Sequence, residues 1–208
     1  MSKPLLLNAR QKLLLKSVAS ACFVILGING ALLCGDPRFA VMVLLGLIMG
    51  FCGDVLLSLR AVFFYRAKDF LMVGALSFGI GHLLYIAALL GITAKAIWIG
   101  VFFLLIMLWP MLRYCRVRQV KMRFFFLDNR LYLCMVILMA GCALGTALLR
   151  PEIPALWLFF AGGLCFAVSD LIFVGYEFGS GRKRWQSPLL LTFYYLAQLS
   201  IAASLFWI

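Results

Sequence analysis

Phe39-Ala-Val-Met-Val-Leu-Leu-Gly-Leu-Ile-Met-Gly-Phe-Cys-Gly-Asp-Val-Leu-Leu-Ser-Leu59 carries a single charge along its whole length. At about 1.5 Å per helical residue, such a run spans the roughly 30 Å hydrocarbon core of a bilayer. Its one charge, Asp54, lies six positions before Arg60. A carboxylate at that depth costs about 2.5–3.5 kcal/mol, even on insertion scales. A second apolar run, over 154–176, repeats the arrangement with Asp170, seven positions before Glu177. A chain that carries this cost twice is building a polar site rather than a plain anchor. Asp54 and Asp170 are therefore the candidate catalytic residues.

The rest of the chain reads the same way. Of its 208 residues 66% are hydrophobic and 12% charged, and the mean hydropathy is +1.10, so lipid is the solvent for most of the surface. Seven spans are predicted, at 13–34, 39–59, 70–91, 96–112, 131–149, 154–176 and 188–208. Pro37, Pro151, Pro154 and Pro188 punctuate their ends, and Pro110 falls near the end of the short fourth span. The predicted fold is an all-α polytopic membrane helical bundle, one integral-membrane domain over 1–208. The basic stretch up to Lys12 resembles a signal sequence, but no small-x-small site follows and Leu33 does not suit lipoprotein cleavage before Cys34. An uncleaved first helix is expected.

The net charge of +12 does not point to nucleic acid, because the basic residues fall in short loops where they read as topology signals. Lys3, Arg10, Lys12, Arg60, Arg66, Lys68, Arg113, Arg116, Arg118, Lys121, Arg123, Arg130, Arg182, Lys183 and Arg184 fall on one side; Arg38, Lys95 and Arg150 fall on the other. Fifteen against three predicts a cytoplasmic N-terminus and a C-terminus across the membrane. The Phe124-Phe-Phe run inside the longest basic loop reads as an interfacial belt. The seven cysteines form no CxxC pair and there is one histidine, so a zinc site has no support. The compact, untargeted chain suits a bacterial inner membrane.

Other polar groups reach the depth of the two acids. His82 and Tyr85 share one helix face, as do Tyr195 and Gln198. Gly50-Phe-Cys-Gly-Asp54-Val-Leu-Leu aligns with Phe166-Ala-Val-Ser-Asp170-Leu-Ile-Phe, and His82 follows Asp54 at the same interval as Gln198 follows Asp170. Spans two–three and six–seven are thus predicted to form a parallel internal repeat. Each unit pairs an acid with the polar residue of its own outward helix. Lys16 is expected to snorkel to the surface or to meet a lipid phosphate. Tyr194 reads as packing or hydrogen bonding. Gly50, Gly53, Gly79, Gly81, Gly162 and Gly163 read as close helix approaches.

No GxSxG elbow is present. Two carboxylates confined in a low dielectric repel one another, which favours one holding a proton beside a charged partner. That arrangement suits acid-catalysed hydrolysis through an oxocarbenium ion. It suits proton-coupled transport or lipid binding equally, and a purely structural membrane subunit is the third reading. The residues alone leave these open.

In order along the chain, Gly53-Asp54-Val-Leu-Leu, Phe78-x-x-x-His82-Leu-Leu-Tyr85, Phe166-x-x-Ser169-Asp170 and Ser187-x-x-x-x-Thr-Phe-Tyr194-Tyr195-Leu-Ala-Gln198 together resemble the YhhN family of membrane proteins, which includes the animal lysoplasmalogenases. The resemblance runs from about Lys16 to the end. Family members usually show eight spans; this chain starts at the segment carrying the lysine and lacks the proline that often follows it. The resemblance implies hydrolysis of the vinyl ether bond of lysoplasmalogens to a fatty aldehyde and a glycerophospho-alcohol. It implies an acid/base pair of Asp54 and Asp170, with His82, Tyr85, Tyr195, Gln198 and Ser169 orienting the pair and the water. Lys16 would lie near the lysophospholipid headgroup, and no cofactor or metal is called for. Lysophospholipid and membrane lipids are the expected partners, and oligomeric state is left open.

Overall fold

A computed structural model describes residues 8–120 and 129–208. The expectations placed on Lys3, Lys121, Arg123 and the aromatic run at 124–126 lie outside those residues. Among the described residues, seven helices are long and apolar enough to cross a membrane: α1 (Ala9–Leu33), α2 (Pro37–Leu59), α3 (Ala67–Ile92), α4 (Ala96–Val117), α5 (Asn129–Leu149), α6 (Pro154–Glu177) and α7 (Gln186–Ser204). Among the described residues there is no strand.

Local chemistry sets the helix ends. The Asn8 side chain accepts from the Gln11 amide while the Gln11 side chain accepts from the Asn8 amide, a reciprocal cap that opens α1. Asp36 caps α2 by accepting from the amides of Arg38 and Phe39, with Pro37 in the first turn, where its missing N–H is no loss. Pro154 opens α6 in the same way. Several helices run longer than hydropathy alone predicts, because polar turns at their ends extend past the apolar stretch. The fourth span departs most. It continues through Pro110 to Val117, since proline removes one donor and leaves a single carbonyl without its partner while the next turns stay intact. Within that extension the Arg113 guanidinium lies over the Trp109 ring at 5.4 Å. The last span, expected to reach residue 208, ends as α-helix at Ser204 and tightens into a 3-10 turn over Leu205–Trp207. The Gly35 amide donates to the Ile208 carbonyl at 2.7 Å.

Six helices close a ring in the order α1, α2, α3, α5, α6, α7 and back to α1. The fourth, α4, stands outside and packs mainly on α5. The helix ends and turns carrying Arg60, Arg66, Arg116, Arg118 and Arg182 lie together at one end of the bundle, the basic end. All five tryptophans are exposed. Trp98, Trp157 and Trp207 lie near the opposite end, and Trp109 and Trp185 toward the basic end. Such paired girdles mark the two interfaces of a bilayer.

With lipid on the outside, burial of apolar surface gives helices little reason to associate, so close backbone approach must hold them. The α4–α5 contact shows this. A Cβ on Gly141 would fall 2.9 Å from the Gly100 Cα, and one on Gly145 would fall 2.9 Å from the Ala96 carbonyl oxygen. The expected close approaches occur inside the ring too: a Cβ on Gly162 would lie 3.0 Å from the Ala197 carbonyl, and one on Gly81 3.1 Å from that of Gly46. Gly141→Leu should therefore separate α4 from α5. A loss of about 1–3 kcal/mol is expected as a lowered unfolding midpoint in detergent. As a control, Leu105→Ala on the exposed face of α4 should leave the midpoint in place.

Candidate functional site

A cavity of about 530 Å³ opens in the half of the ring nearer the basic end. All six ring helices line it: Lys12 and Lys16 from α1, Asp54 and Leu57 from α2, Leu76 and Gly79 from α3, Asn129 and Tyr132 from α5, Ser169, Asp170 and Glu177 from α6, and Leu191 and Tyr194 from α7, with Arg60 at the rim. Most of the wall is apolar, and the two acids share it.

Asp54 is 1% exposed and fully engaged. The Lys16 ammonium stands 2.8 Å from its Oδ1, and the Ser20 and Tyr194 hydroxyls donate to Oδ2 at 2.6 and 2.7 Å. Lys16 thus turns inward onto the acid. It does not snorkel, because leaving a buried carboxylate uncompensated costs more than the hydration one ammonium recovers at the surface. Behind Tyr194 the network continues: Gln198 Nε2 donates to the Tyr194 hydroxyl at 3.2 Å, and the Tyr85 hydroxyl donates to Gln198 Oε1 at 3.0 Å.

Asp170, also buried, is engaged differently. The Tyr132 hydroxyl donates to its Oδ2 at 2.7 Å, and His82 Nε2 lies 3.6 Å from the same oxygen. Its other oxygen has no protein partner among the described residues. His82 is itself 1% exposed, packs edge-on to the Phe166 ring with centroids 4.5 Å apart, and leaves Nδ1 without a hydrogen-bond partner among the described residues.

These contacts correct the expected pairing. Each acid meets the outward helix of the opposite unit: Asp170 meets His82 on α3, and Asp54 reaches Gln198 on α7 through Tyr194. The repeat is present but exchanged about a pseudo-two-fold axis. Phe78 and Tyr194 follow their acids at the same interval, and they stack edge to face on one another at 5.8 Å. The repeat also extends further than α2–α3 and α6–α7. Lys16 stands as far before Asp54 along the chain as Tyr132 stands before Asp170, and each holds that acid. The units are therefore α1–α2–α3 and α5–α6–α7, with α4 between.

Asp54, Asp170, Ser169 and Lys16 line the cavity, whereas His82, Tyr85, Tyr195 and Gln198 form the layer behind it. The Ser169 hydroxyl donates to the Leu190 carbonyl at 2.9 Å, so it ties α6 to α7. The Tyr195 hydroxyl lies 3.5 Å from Ser20 Oγ and from the Lys16 carbonyl. Three groups that touch the acids escape a reading of the sequence: Ser20, Tyr132 and the full role of Tyr194. Ser20 is legible as the residue one turn beyond Lys16 on the same face. At the basic end, Arg60 and Glu177 form a two-bonded ion pair at 2.9 and 3.0 Å that joins the ends of α2 and α6.

A family model described as the YhhN family matches residues 11–205. The chain belongs to the YhhN family. Comparison with curated proteins and with solved structures gives no match.

The Lys16–Asp54 pair makes a thermodynamic prediction. Lys16→Met strands a buried carboxylate and should destabilise the protein by about 3–5 kcal/mol. The double variant Lys16→Met/Asp54→Asn should lose clearly less than the sum of the single losses, read as unfolding midpoints in one detergent.

Proposed function

We propose that this chain is a lysoplasmalogenase-type hydrolase that cleaves the vinyl ether bond of lysoplasmalogens inside the membrane. The observation that carries the reading is the unequal pair of acids on one apolar wall. Asp54 is a fixed anion, held by one ammonium and two hydroxyls. Asp170 keeps one oxygen free of protein donors among the described residues, with Tyr132 and His82 fixing the other.

A vinyl ether needs a proton on its β-carbon. In the proposed scheme protonated Asp170 supplies it, and the ether becomes an oxocarbenium ion. The Asp54 carboxylate lies on the same wall and stabilises that cation by the part of its charge that Lys16 does not offset, an interaction worth most where water is scarce. A water then adds to the cationic carbon and returns its proton to Asp170, giving a hemiacetal. Asp170 passes that proton to the glycerol oxygen and recovers one from the hemiacetal hydroxyl as the C–O bond breaks. The products are a fatty aldehyde and a glycerophospho-alcohol, and one water is consumed. Tyr132 and His82 orient the Asp170 carboxyl, while Gln198 and Tyr85 fix the Tyr194 hydroxyl. By the lysine and arginine bias, the basic end would face the cytoplasm, with the headgroup near Lys12 and Arg60.

A specific observation favours a second reading. Two parallel three-helix units with polar groups at their interface are also the plan of small transporters. Catalysis and transport separate cleanly by product. Purified protein given 1-alkenyl, 1-alkyl and 1-acyl lysophospholipids should release fatty aldehyde from the alkenyl lipid alone. Asp170→Asn and Asp54→Asn should each lower that rate about 10²–10⁴-fold with the fold retained. Uptake into proteoliposomes without aldehyde would establish the transporter instead.

A further inference from the structure

The pseudo-two-fold axis makes two helix seams equivalent, α3 against α5 and α7 against α1, yet the cavity treats them differently. From α7 it is lined by Ser187, Leu190, Leu191 and Tyr194, the residues turned toward the axis. From α3 it also takes in Met72, Val73, Leu76 and Gly79. Their counterparts on α7 are Pro188, Leu189, Thr192 and Tyr195, and none of them lines the cavity. Met72, Val73 and Leu76 are at the same time 36%, 45% and 52% exposed, so the cavity runs out between the helices to the lipid-facing surface. One exchange accounts for the difference. On α7 the place of Gly79 is taken by Tyr195, whose hydroxyl reaches across to Ser20 and to the Lys16 carbonyl on α1. On α3 the glycine puts no side chain there, and the cavity reaches it. What faces it from α5 is the unbranched Met135, whose Cε would lie 3.2 Å from a Cβ on Gly79.

We propose that the α3–α5 seam beside Gly79 is a lateral portal through which one hydrocarbon chain of a membrane lipid enters the cavity, and that Tyr195 seals the equivalent α7–α1 seam. A single chain is the occupant because the seam lacks just one side chain, at Gly79, where only the flexible end of Met135 stands in the way, and its rim of Met72, Val73 and Leu76 is wholly apolar. A lipid with two chains would leave its second chain against the outer face of α3. The portal also sets the approach: a chain passing Gly79 comes in beside Tyr132, which holds Asp170. The inference deepens the hydrolase reading and rests on it for the identity of the lipid, not for the route.

The test uses the full chain in nanodiscs and a lysophospholipid carrying a photoactivatable diazirine in its one chain, with unlabelled 1-alkenyl lysophospholipid as competitor. Competable label is expected on the α3 segment bearing Leu76 and the α5 segment bearing Tyr132. Gly79→Trp should remove it and lower kcat/KM for the alkenyl lipid about tenfold to a hundredfold, with kcat retained. Leu76→Trp, at a position already half exposed, should do the same and decides the matter if Gly79→Trp does not fold. Tyr195→Gly should add label along α7 and α1. Label along α7–α1 in the unaltered chain, label that survives a folded tryptophan variant, or no competable label in folded protein would each overturn the portal. Competable α3–α5 label without any aldehyde would uphold the portal and remove the hydrolase reading.

Discussion

One charge in the wrong solvent governs this structure. Asp54 sits where lipid surrounds the bundle, so its carboxylate must find donors inside the protein. It takes them from two neighbouring helices: α1 provides Lys16 and Ser20, and α7 provides Tyr194. The acid therefore fixes the position of α1 against α2 and of α7 against both. Removing it would loosen both of these helix contacts at once. Asp170 does the corresponding service for α5 and α3 through Tyr132 and His82, with weaker engagement and hence a freer carboxyl.

The exchanged pairing gives the two halves a common centre. Had each acid bound only within its own unit, the two sites would be separate and the interface between units would be apolar. Instead Asp170 faces His82 and Asp54 faces Tyr194, and the Phe78–Tyr194 contact lies between them. The rings of Phe166, Tyr194 and Phe78 pack edge to face and fill the space between the two polar networks. A cavity wall with charge on one part and hydrocarbon on the rest is the outcome.

Much of this is legible in the sequence. Hydropathy locates the spans within a few residues, because lipid imposes a length that few side chains can override. Asp54 and Asp170 stand out because a charge in such a run is costly. The matched spacing from each acid to His82 or Gln198 reveals the repeat, yet it names the wrong partners. Equal spacing shows that two units are equivalent and says nothing about whether their contacts are internal or exchanged. Tyr132 is silent for a different reason. A tyrosine near a helix end reads as interfacial, and its relation to Lys16 emerges only once α5 is seen to occupy the place of α1. The fourth span reads short because Arg113 follows its apolar run; the guanidinium settles on Trp109 instead, and the helix carries on beyond a proline whose cost is local.

The position of α4 outside the ring has a consequence for the number seven itself. Three crossings leave a chain on the face opposite to where it began, so a second three-crossing unit laid parallel to the first cannot follow directly. One return stroke is obligatory. The odd helix is thus a requirement of connectivity, answering to no chemistry in the cavity, and its sequence is free to drift provided it remains lipid-soluble and keeps its glycine-lined footing on α5.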